Sequence, residues 1–212
     1  MRITKFGHAC VRIESDGTTV VIDPGGFTEP EAVDGADAVL ITHEHADHWT
    51  PEMLRATSAP VFTIGAVARQ IREQAPEVAE RTTVVDPGES FTAAGVAVSV
   101  LNEKHAIIHP ELPHFDNSGY LLEVEGQRLF HPGDALDGPG REIDLLMLPV
   151  SAPWARSMDL IEFARSVGAP RNLAVHDAIY SEIGSAVFDK QVVPFLEKDG
   201  LSYTRLASGQ DL

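Results

Sequence analysis

The fold depends on one stretch of sequence, Thr42-His43-Glu44-His45-Ala46-Asp47-His48. It follows an apolar run, Ala38-Val39-Leu40-Ile41, that is typical of a short buried strand. Side chains two residues apart point to the same side of an extended chain, so the first two histidines can bind one ion. The aspartate and the third histidine lie beyond the strand and can bind a second ion. Imidazole and carboxylate are ligands of Zn²⁺ and related divalent metals; a His-rich polar loop is the less specific alternative.

The pattern on either side of this stretch predicts strands first and then alternating strands and helices, joined by short turns. Strands are predicted over residues 2–6, 10–14, 18–22, 38–41, 60–64, 82–85, 90–92, 96–101, 119–124, 128–131, 145–148, 171–175 and 201–206. Helices are predicted over residues 51–56, 65–74, 158–167 and 186–196, with Thr50 and Ser157 as N-caps and Pro76 as the stop of the second helix. The simplest layered arrangement is two sheets with helices on the outer faces, in one domain over residues 1–212.

The composition narrows the class of protein. The formal net charge of −16 opposes a general attraction to nucleic acid or to an anionic membrane surface. Cys10 is the only cysteine, which excludes an internal disulfide and a Cys-based zinc site. Residues 1–5 run directly into a strand pattern without an apolar leader, and no run of about 18 apolar residues is present. We therefore expect a cytoplasmic protein that acts on a small molecule, with neither nucleic acid nor membrane as partner, and a homo-oligomer is left open.

Residues able to bind metal recur at the ends of the predicted strands. The stretch that begins at His43 follows one strand, and His105, Asp134 and His176 each follow another. If these strands share an edge, all four positions converge there. That arrangement is more specific than the local motif alone.

With these residues in view, the chain resembles the metallo-β-lactamase-fold hydrolases. The pattern of that superfamily is H-x-H-x-D-H, then a single His, then Gly-Asp, then a late His, and this sequence fills every position. The resemblance covers essentially the full length and implies an α/β fold, a four-layer αββα sandwich with a two-metal site between the sheets. The implied ligands are His43, His45 and His105 for the first metal, Asp47, His48 and His176 for the second, and Asp134 between them. Gly7-His8-Ala9, Ile22-Asp23-Pro24 and His131-Pro132-Gly133-Asp134 are most similar to the compact group that includes ascorbate-6-phosphate lactonase.

The third histidine ligand has competitors in the irregular segment at residues 102–118. His105, His109 and His114 all lie there. His105 is nearest to the end of its strand, where the resemblance places this ligand. His109 then becomes a candidate catalytic residue, as a proton donor in the pocket, and His114 a solvated loop residue. His131 is expected to support the site rather than to bind metal.

The ligand set indicates hydrolytic chemistry. Two divalent ions, Zn²⁺ first and Mn²⁺ or Fe²⁺ as alternatives, would leave the pocket with surplus positive charge, which suits an anionic or strongly polarised substrate. They would also supply hydroxide from a shared water at neutral pH. Asp47 can bind metal, orient the nucleophile and pass a proton to the leaving group. His8, Trp154 and Arg156 are candidate substrate-binding residues, although a turn, packing and a surface charge are the respective alternatives.

The sequence therefore favours a metal-dependent hydrolase of a small ester, lactone, thioester or phosphodiester. Only 41 residues lie between Asp134 and His176, which leaves no room for the inserted domain of the nucleic-acid-processing branches. The chain also ends soon after His176, without the helical domain that glyoxalase II-like enzymes use. Flavodiiron-like redox proteins have Glu where this chain has His45, which argues against that alternative. A non-enzymatic metal-binding or sensor protein is the remaining one.

Overall fold

Two seven-stranded mixed sheets form the centre of the structure, a computed structural model that describes residues 1–212. The strands are β1 (Arg2–Lys5), β2 (Val11–Ser15), β3 (Thr18–Ile22), β4 (Ala38–Ile41), β5 (Val61–Thr63), β6 (Thr82–Val84), β7 (Ser90–Ala93), β8 (Val96–Leu101), β9 (Gly119–Val124), β10 (Gln127–His131), β11 (Leu145–Pro149), β12 (Arg171–Val175), β13 (Ser202–Thr204) and β14 (Gln210–Asp211). The first sheet has the order β14-β1-β2-β3-β4-β5-β6, and the second has the order β7-β8-β9-β10-β11-β12-β13. Read in these directions, each sheet has three antiparallel pairings followed by three parallel ones.

The helices cover the outer faces of the two sheets. They are α1 (Pro51–Arg55), α2 (Gly65–Gln74), α3 (Pro76–Ala79), α4 (Ser157–Val167) and α5 (Glu182–Lys198), with a 3₁₀ turn at Pro30–Val33. Strand β4 shows how the layers arise, because both of its faces are buried. Leu40 packs between the sheets, whereas Val39 and Ile41 pack against the helices α1 and α2. The helices α4 and α5 pack in the same way on the second sheet. The predicted αββα sandwich is confirmed.

Local hydrogen bonds move two helix starts from their predicted places. Helix α4 begins at Ser157, and its N-cap is Arg156, whose backbone N–H donates to the Asp159 carboxylate at 3.0 Å. The prediction of Ser157 as the N-cap was therefore wrong by one residue. Helix α5 begins at Glu182, earlier than predicted, because the Ser181 hydroxyl accepts a hydrogen bond at 3.2 Å and caps it.

Two further elements differ from the prediction. Pro76 begins the short helix α3, which suits a proline because the first helical residue needs no hydrogen bond from its nitrogen. Strand β14 was not predicted, and it pairs with β1, with Asp211 opposite Thr4. The predicted N-cap at Thr50 is confirmed, since its hydroxyl accepts from the Met53 N–H at 3.2 Å.

Hydrogen bonds join the two sheets at the edge where the parallel strands end. The buried Tyr120 hydroxyl of β9 donates to the Ile41 carbonyl of β4 at 2.9 Å. On the other side, the His176 N–H donates to the His8 carbonyl at 2.8 Å. Lys5, which is almost fully buried, pairs with Asp177 at 2.6 Å. These contacts fix the distance between the sheets at this edge. None of the helices has the length and apolar character needed to cross a bilayer.

Candidate metal centre

Seven side chains predicted from the sequence meet at this edge. His43, His45, Asp47 and His48 follow β4, whereas His105, Asp134 and His176 follow β8, β10 and β12. The two sheets therefore both contribute side chains. The ends of parallel strands collect at one edge of a sheet, and this edge is where ligands bind in open α/β sheets.

The side chains form two clusters in which the candidate ligand atoms lie within 4.8 Å of one another. The first cluster contains His43, His45, His105 and Asp134, and the second contains His8, Asp47, His48 and His176. Asp134 lies between them, because its Oδ1 is 3.2 Å from His48 Nε2 and its Oδ2 is 3.2 Å from His176 Nε2. Its Oδ2 is also 3.3 Å from His105 Nε2. One carboxylate thus faces both clusters.

Several of these buried atoms have no hydrogen-bond partner. The Nε2 atoms of His48, His105 and His176 and the Oδ1 atom of Asp134 are all unpaired, although each of the three nitrogens lies 3.2–3.3 Å from an oxygen of Asp134. Their distances suit hydrogen bonds but their alignment does not. Leaving a buried polar group unpaired costs about 1–3 kcal/mol each, so native proteins rarely do so without a reason. Atoms that converge without bonding to one another fit shared cations, and this donor set fits divalent metals.

The Nδ1 atoms of three cluster histidines are hydrogen-bonded. Asp23 is 2.7 Å from His48 Nδ1, and the Thr42 hydroxyl is 3.0 Å from His43 Nδ1. His176 Nδ1 contacts the Ser151 carbonyl. Contacts of this kind set the tautomer and aim Nε2 at the cluster. Asp23 belongs to a stretch that the sequence already singles out, whereas no local pattern predicts this role for Thr42 or Ser151. Asp177, which follows His176, pairs instead with Lys5 and Arg205.

Three residues of the site have left-handed backbone conformations, which non-glycine residues rarely adopt. The φ angles are +54° at His8, +51° at Asp23 and +59° at His176. Each follows a strand and turns its side chain back toward the clusters. Such conformations cost about 1–3 kcal/mol each and persist where the surroundings fix them, commonly at functional sites.

Burial and neighbouring charges shift the pKa values of the cluster. Burial works against the charged form of Asp134, but His176, His48 and His43 outweigh it and hold its pKa well below the usual range. Burial likewise opposes a charged His176, but Asp134 outweighs it and raises the pKa of that imidazole to about 9. Burial, together with the neighbouring His48, lowers the pKa of His43 well below its ordinary value. The Asp134 carboxylate is therefore ionised at neutral pH and can bind a cation without first losing a proton.

The structure separates the three histidines that competed for one ligand position. His105 is buried in the first cluster. His109 is exposed, and its Nδ1 accepts a hydrogen bond from the Glu111 N–H at 3.2 Å. His114 is exposed as well and contacts the His105 carbonyl at 2.8 Å. The structure thus brings His105 to the site and leaves His109, the predicted proton donor, away from it.

Replacing His105 by alanine should lower the metal content by about one equivalent per chain, because the first cluster would keep only two histidines and the shared Asp134. His109→Ala protein is the matched control and should keep its full metal content. Elemental mass spectrometry of the purified proteins measures both. Equal loss in the two variants would contradict this assignment of the third histidine.

His8 is fully buried, and both of its ring nitrogens are engaged. Its Nδ1 accepts from the Ala178 N–H at 3.1 Å, so the proton lies on Nε2, which is 3.1 Å from Asp47 Oδ2. His8 therefore orients Asp47, whose carboxylate is 26% exposed. Direct contact with substrate, the role predicted for His8, is not supported by this placement.

Trp154 and Arg156, the other predicted substrate residues, differ in their contacts. The Trp154 indole N–H donates to Asp134 Oδ2 at 3.1 Å, and its ring lies 5.6 Å from the His105 ring. Arg156 is exposed and pairs with Asp159 at 2.8 Å, which leaves no free charge to bind substrate. His131 is hydrogen-bonded to the Ala9 carbonyl at 2.9 Å and belongs to neither cluster.

Replacing Trp154 by phenylalanine should weaken metal binding about 10- to 100-fold, because the ring stays but the donor to Asp134 is lost. Competition with a fluorescent chelator measures the affinity. Trp49→Phe is the control, since Trp49 is buried among apolar side chains of the first sheet and α2. Unchanged affinity in Trp154→Phe protein would show that the hydrogen bond does not hold the carboxylate.

Comparison with known proteins agrees with this architecture. Residues 2–176 match the family described as the Beta-lactamase superfamily domain. The solved structure of Igni18, a metallo hydrolase from Ignicoccus hospitalis, superposes with a TM-score of 0.75 over 100% of this chain and 97% of that chain, at 17% identity. CmlA, a diiron β-hydroxylase from Streptomyces venezuelae, gives a TM-score of 0.76 over 100% of this chain and 53% of that chain, at 18% identity. Fold and site thus define a protein of the metallo-β-lactamase fold.

Comparison with a relative of similar sequence identifies the family within this fold. A UPF0173 metal-dependent hydrolase of Geobacillus thermodenitrificans is 31% identical over 196 residues, which cover 83% of this chain and 85% of the relative. The chain therefore belongs to the beta-lactamase superfamily, among its UPF0173 metal-dependent hydrolases. The closer likeness to ascorbate-6-phosphate lactonase stays a prediction.

Proposed function

We propose that the two clusters hold two divalent cations, Zn²⁺ first and Mn²⁺ or Fe²⁺ as alternatives, and that the enzyme hydrolyses an ester, lactone, thioester or phosphodiester bond of a small molecule. The observation that carries the proposal is the position of Asp134 between two clusters whose buried nitrogen atoms are unpaired. When bound, the cations would lower the pKa of a water between them and polarise the oxygen of the scissile group.

Side chains of the protein would then orient the attacking water, transfer the proton and hold the clusters in place. Asp47 is the only carboxylate of the clusters with an exposed portion, so it faces both the site and the incoming substrate. It can orient the attacking water and pass a proton to the leaving group. His8 keeps Asp47 in position by donating to Oδ2. Asp134 remains ionised and holds the two clusters together.

Metal content and turnover together test this proposal. We expect close to two equivalents of zinc, manganese or iron per chain in protein purified without added metal. The same protein should hydrolyse at least one of p-nitrophenyl acetate, a thioester and bis(p-nitrophenyl) phosphate, and chelation should abolish the activity. Two bound metals without hydrolysis of any generic substrate would favour a non-enzymatic metal-binding protein. Bound iron with oxygen consumption would favour redox chemistry.

A further inference from the structure

Exposed apolar side chains lie on the loops that carry residues of the metal centre. We call Phe27, Ile107, Leu112 and Ile179 the apolar rim; each is at least half exposed. Phe27 follows β3, and its ring centre is 5.3 Å from that of His8. Single exposed apolar residues are ordinary, but several on the loops of one site mark a binding surface.

The rim is tied to the clusters through the loops that carry them. Ile107 and Leu112 lie on the loop that starts at His105, and the contact of His114 with the His105 carbonyl at 2.8 Å holds that loop in place. Ile179 follows Ala178, whose N–H donates to His8. The rim therefore lies on loops that belong to both clusters.

Two half-buried aromatic rings lie beside the imidazoles of the clusters. The Phe115 ring centre is 4.7 Å from that of His45, and the Trp154 ring centre is 6.2 Å from that of His176. Both rings are partly open to solvent. A group that approaches the clusters meets apolar surface on several sides.

The loop after His105 also encloses a cavity of about 250 Å³. Its lining consists of Ile107, Ile108, Leu112 and two prolines, together with the exposed His109 and His114. Pockets for drug-sized ligands measure about 300–1,000 Å³, so this one suits a shorter apolar group.

Few positive charges lie on these loops, and Arg141 is the one on the loop after β10. Lys104 lies 2.5 Å from Asp116, and Arg156 lies 2.8 Å from Asp159. Loops 23–29, 42–50 and 176–181 contain no lysine or arginine. These three loops therefore offer apolar contact rather than a cationic partner for a second anionic group.

We propose that the apolar rim binds an uncharged apolar acyl group, which makes esters or thioesters of short- to medium-chain carboxylic acids the substrate class. This inference rests on the proposed function. Water adds to the carbonyl carbon, the acyl C–O or C–S bond breaks, and the carboxylic acid forms while a proton goes to the leaving alcohol or thiol. Each methylene buried on the rim is worth about fourfold in binding.

Chain length of the acyl group tests the proposal on the metal-loaded enzyme. We expect kcat/KM for p-nitrophenyl hexanoate to exceed that for the acetate by about tenfold or more, since four added methylenes would be partly buried. The double variant Ile107→Ser, Leu112→Ser should lose most of this ratio. Val187→Ser is the matched control, because Val187 is also half exposed but lies on α5. A flat dependence on chain length, or a preference for bis(p-nitrophenyl) phosphate, overturns the proposal.

Binding of a ketone that cannot be hydrolysed separates the rim from turnover. By titration calorimetry, 2-octanone should bind at least about tenfold more tightly than 2-butanone, and the double variant should lose the difference. Binding of 2-octanone without hydrolysis of any ester, lactone, thioester or phosphodiester would support the apolar rim as a binding surface and refute the proposed function. Ester hydrolysis with equal binding of both ketones would support the proposed function and refute binding of the acyl group by the apolar rim.

Discussion

Asp134→Ala protein should lose at least one of its metal ions and nearly all of its activity. The carboxylate is buried between the two clusters, with Oδ1 and Oδ2 each 3.2 Å from a different imidazole nitrogen. Its removal would leave four histidines facing a space without the negative charge that offsets the cations. We expect kcat/KM to fall by about 10³-fold or more, which corresponds to about 4 kcal/mol of transition-state stabilisation.

Metal content, activity and the thermal midpoint of Asp134→Ala protein check this prediction together. Asp159→Ala is the matched control, because Asp159 is an acidic residue that pairs with Arg156 on the surface of α4. The control should keep two metal equivalents and normal turnover. Full metal occupancy with normal turnover in Asp134→Ala protein would refute the bridging role.

Gly25→Ala should disable the site without touching any candidate ligand. A Cβ atom at Gly25 would lie 1.9 Å from the Asp47 carbonyl oxygen and 2.5 Å from the His48 nitrogen, so the backbone of the second cluster would have to move. A displacement of about 1 Å at a catalytic group can cost about 100-fold in rate. We expect a loss of that size, together with about 1–3 kcal/mol of folding stability from the overpacked contact.

Gly65→Ala is the control for this prediction, since the nearest atom to its added Cβ would be the flexible Arg69 side chain at 3.7 Å. Thermal unfolding and metal content should stay close to those of the unmodified protein. A Gly25→Ala protein that keeps both metals and its activity would mean that residues 42–48 can shift without loss of function.

Much of the site could be predicted from the sequence because it depends on short-range order. The stretch from His43 to His48 follows a buried strand, and His105, Asp134 and His176 each follow another. These residues therefore meet at the sheet edge, and their meeting does not depend on the conformation of the loops. The contacts of His8 and Trp154 could not be predicted in the same way. They depend on the left-handed backbone at His8 and on a loop that turns the indole toward Asp134. Tertiary contacts, rather than local pattern, decide both.

The helix boundaries show the same limit on a smaller scale. Thr50 could be predicted as a cap because its hydroxyl precedes a proline at the first helical position. Ser181 could not be predicted as a cap, because the apolar pattern of residues 182–185 is weakly periodic. Helix α5 begins there because of the cap and not because of apolar spacing.

The division of the site between the two sheets has a mechanical consequence. His43, His45 and His48 extend from the first sheet and His105, Asp134 and His176 from the second, so a filled centre fastens the halves of the molecule as a cross-link would. The chain has one cysteine and cannot make an internal disulfide. The residues that would perform catalysis would thus also hold the two sheets together. Metal binding would therefore be coupled to the folding stability of the domain.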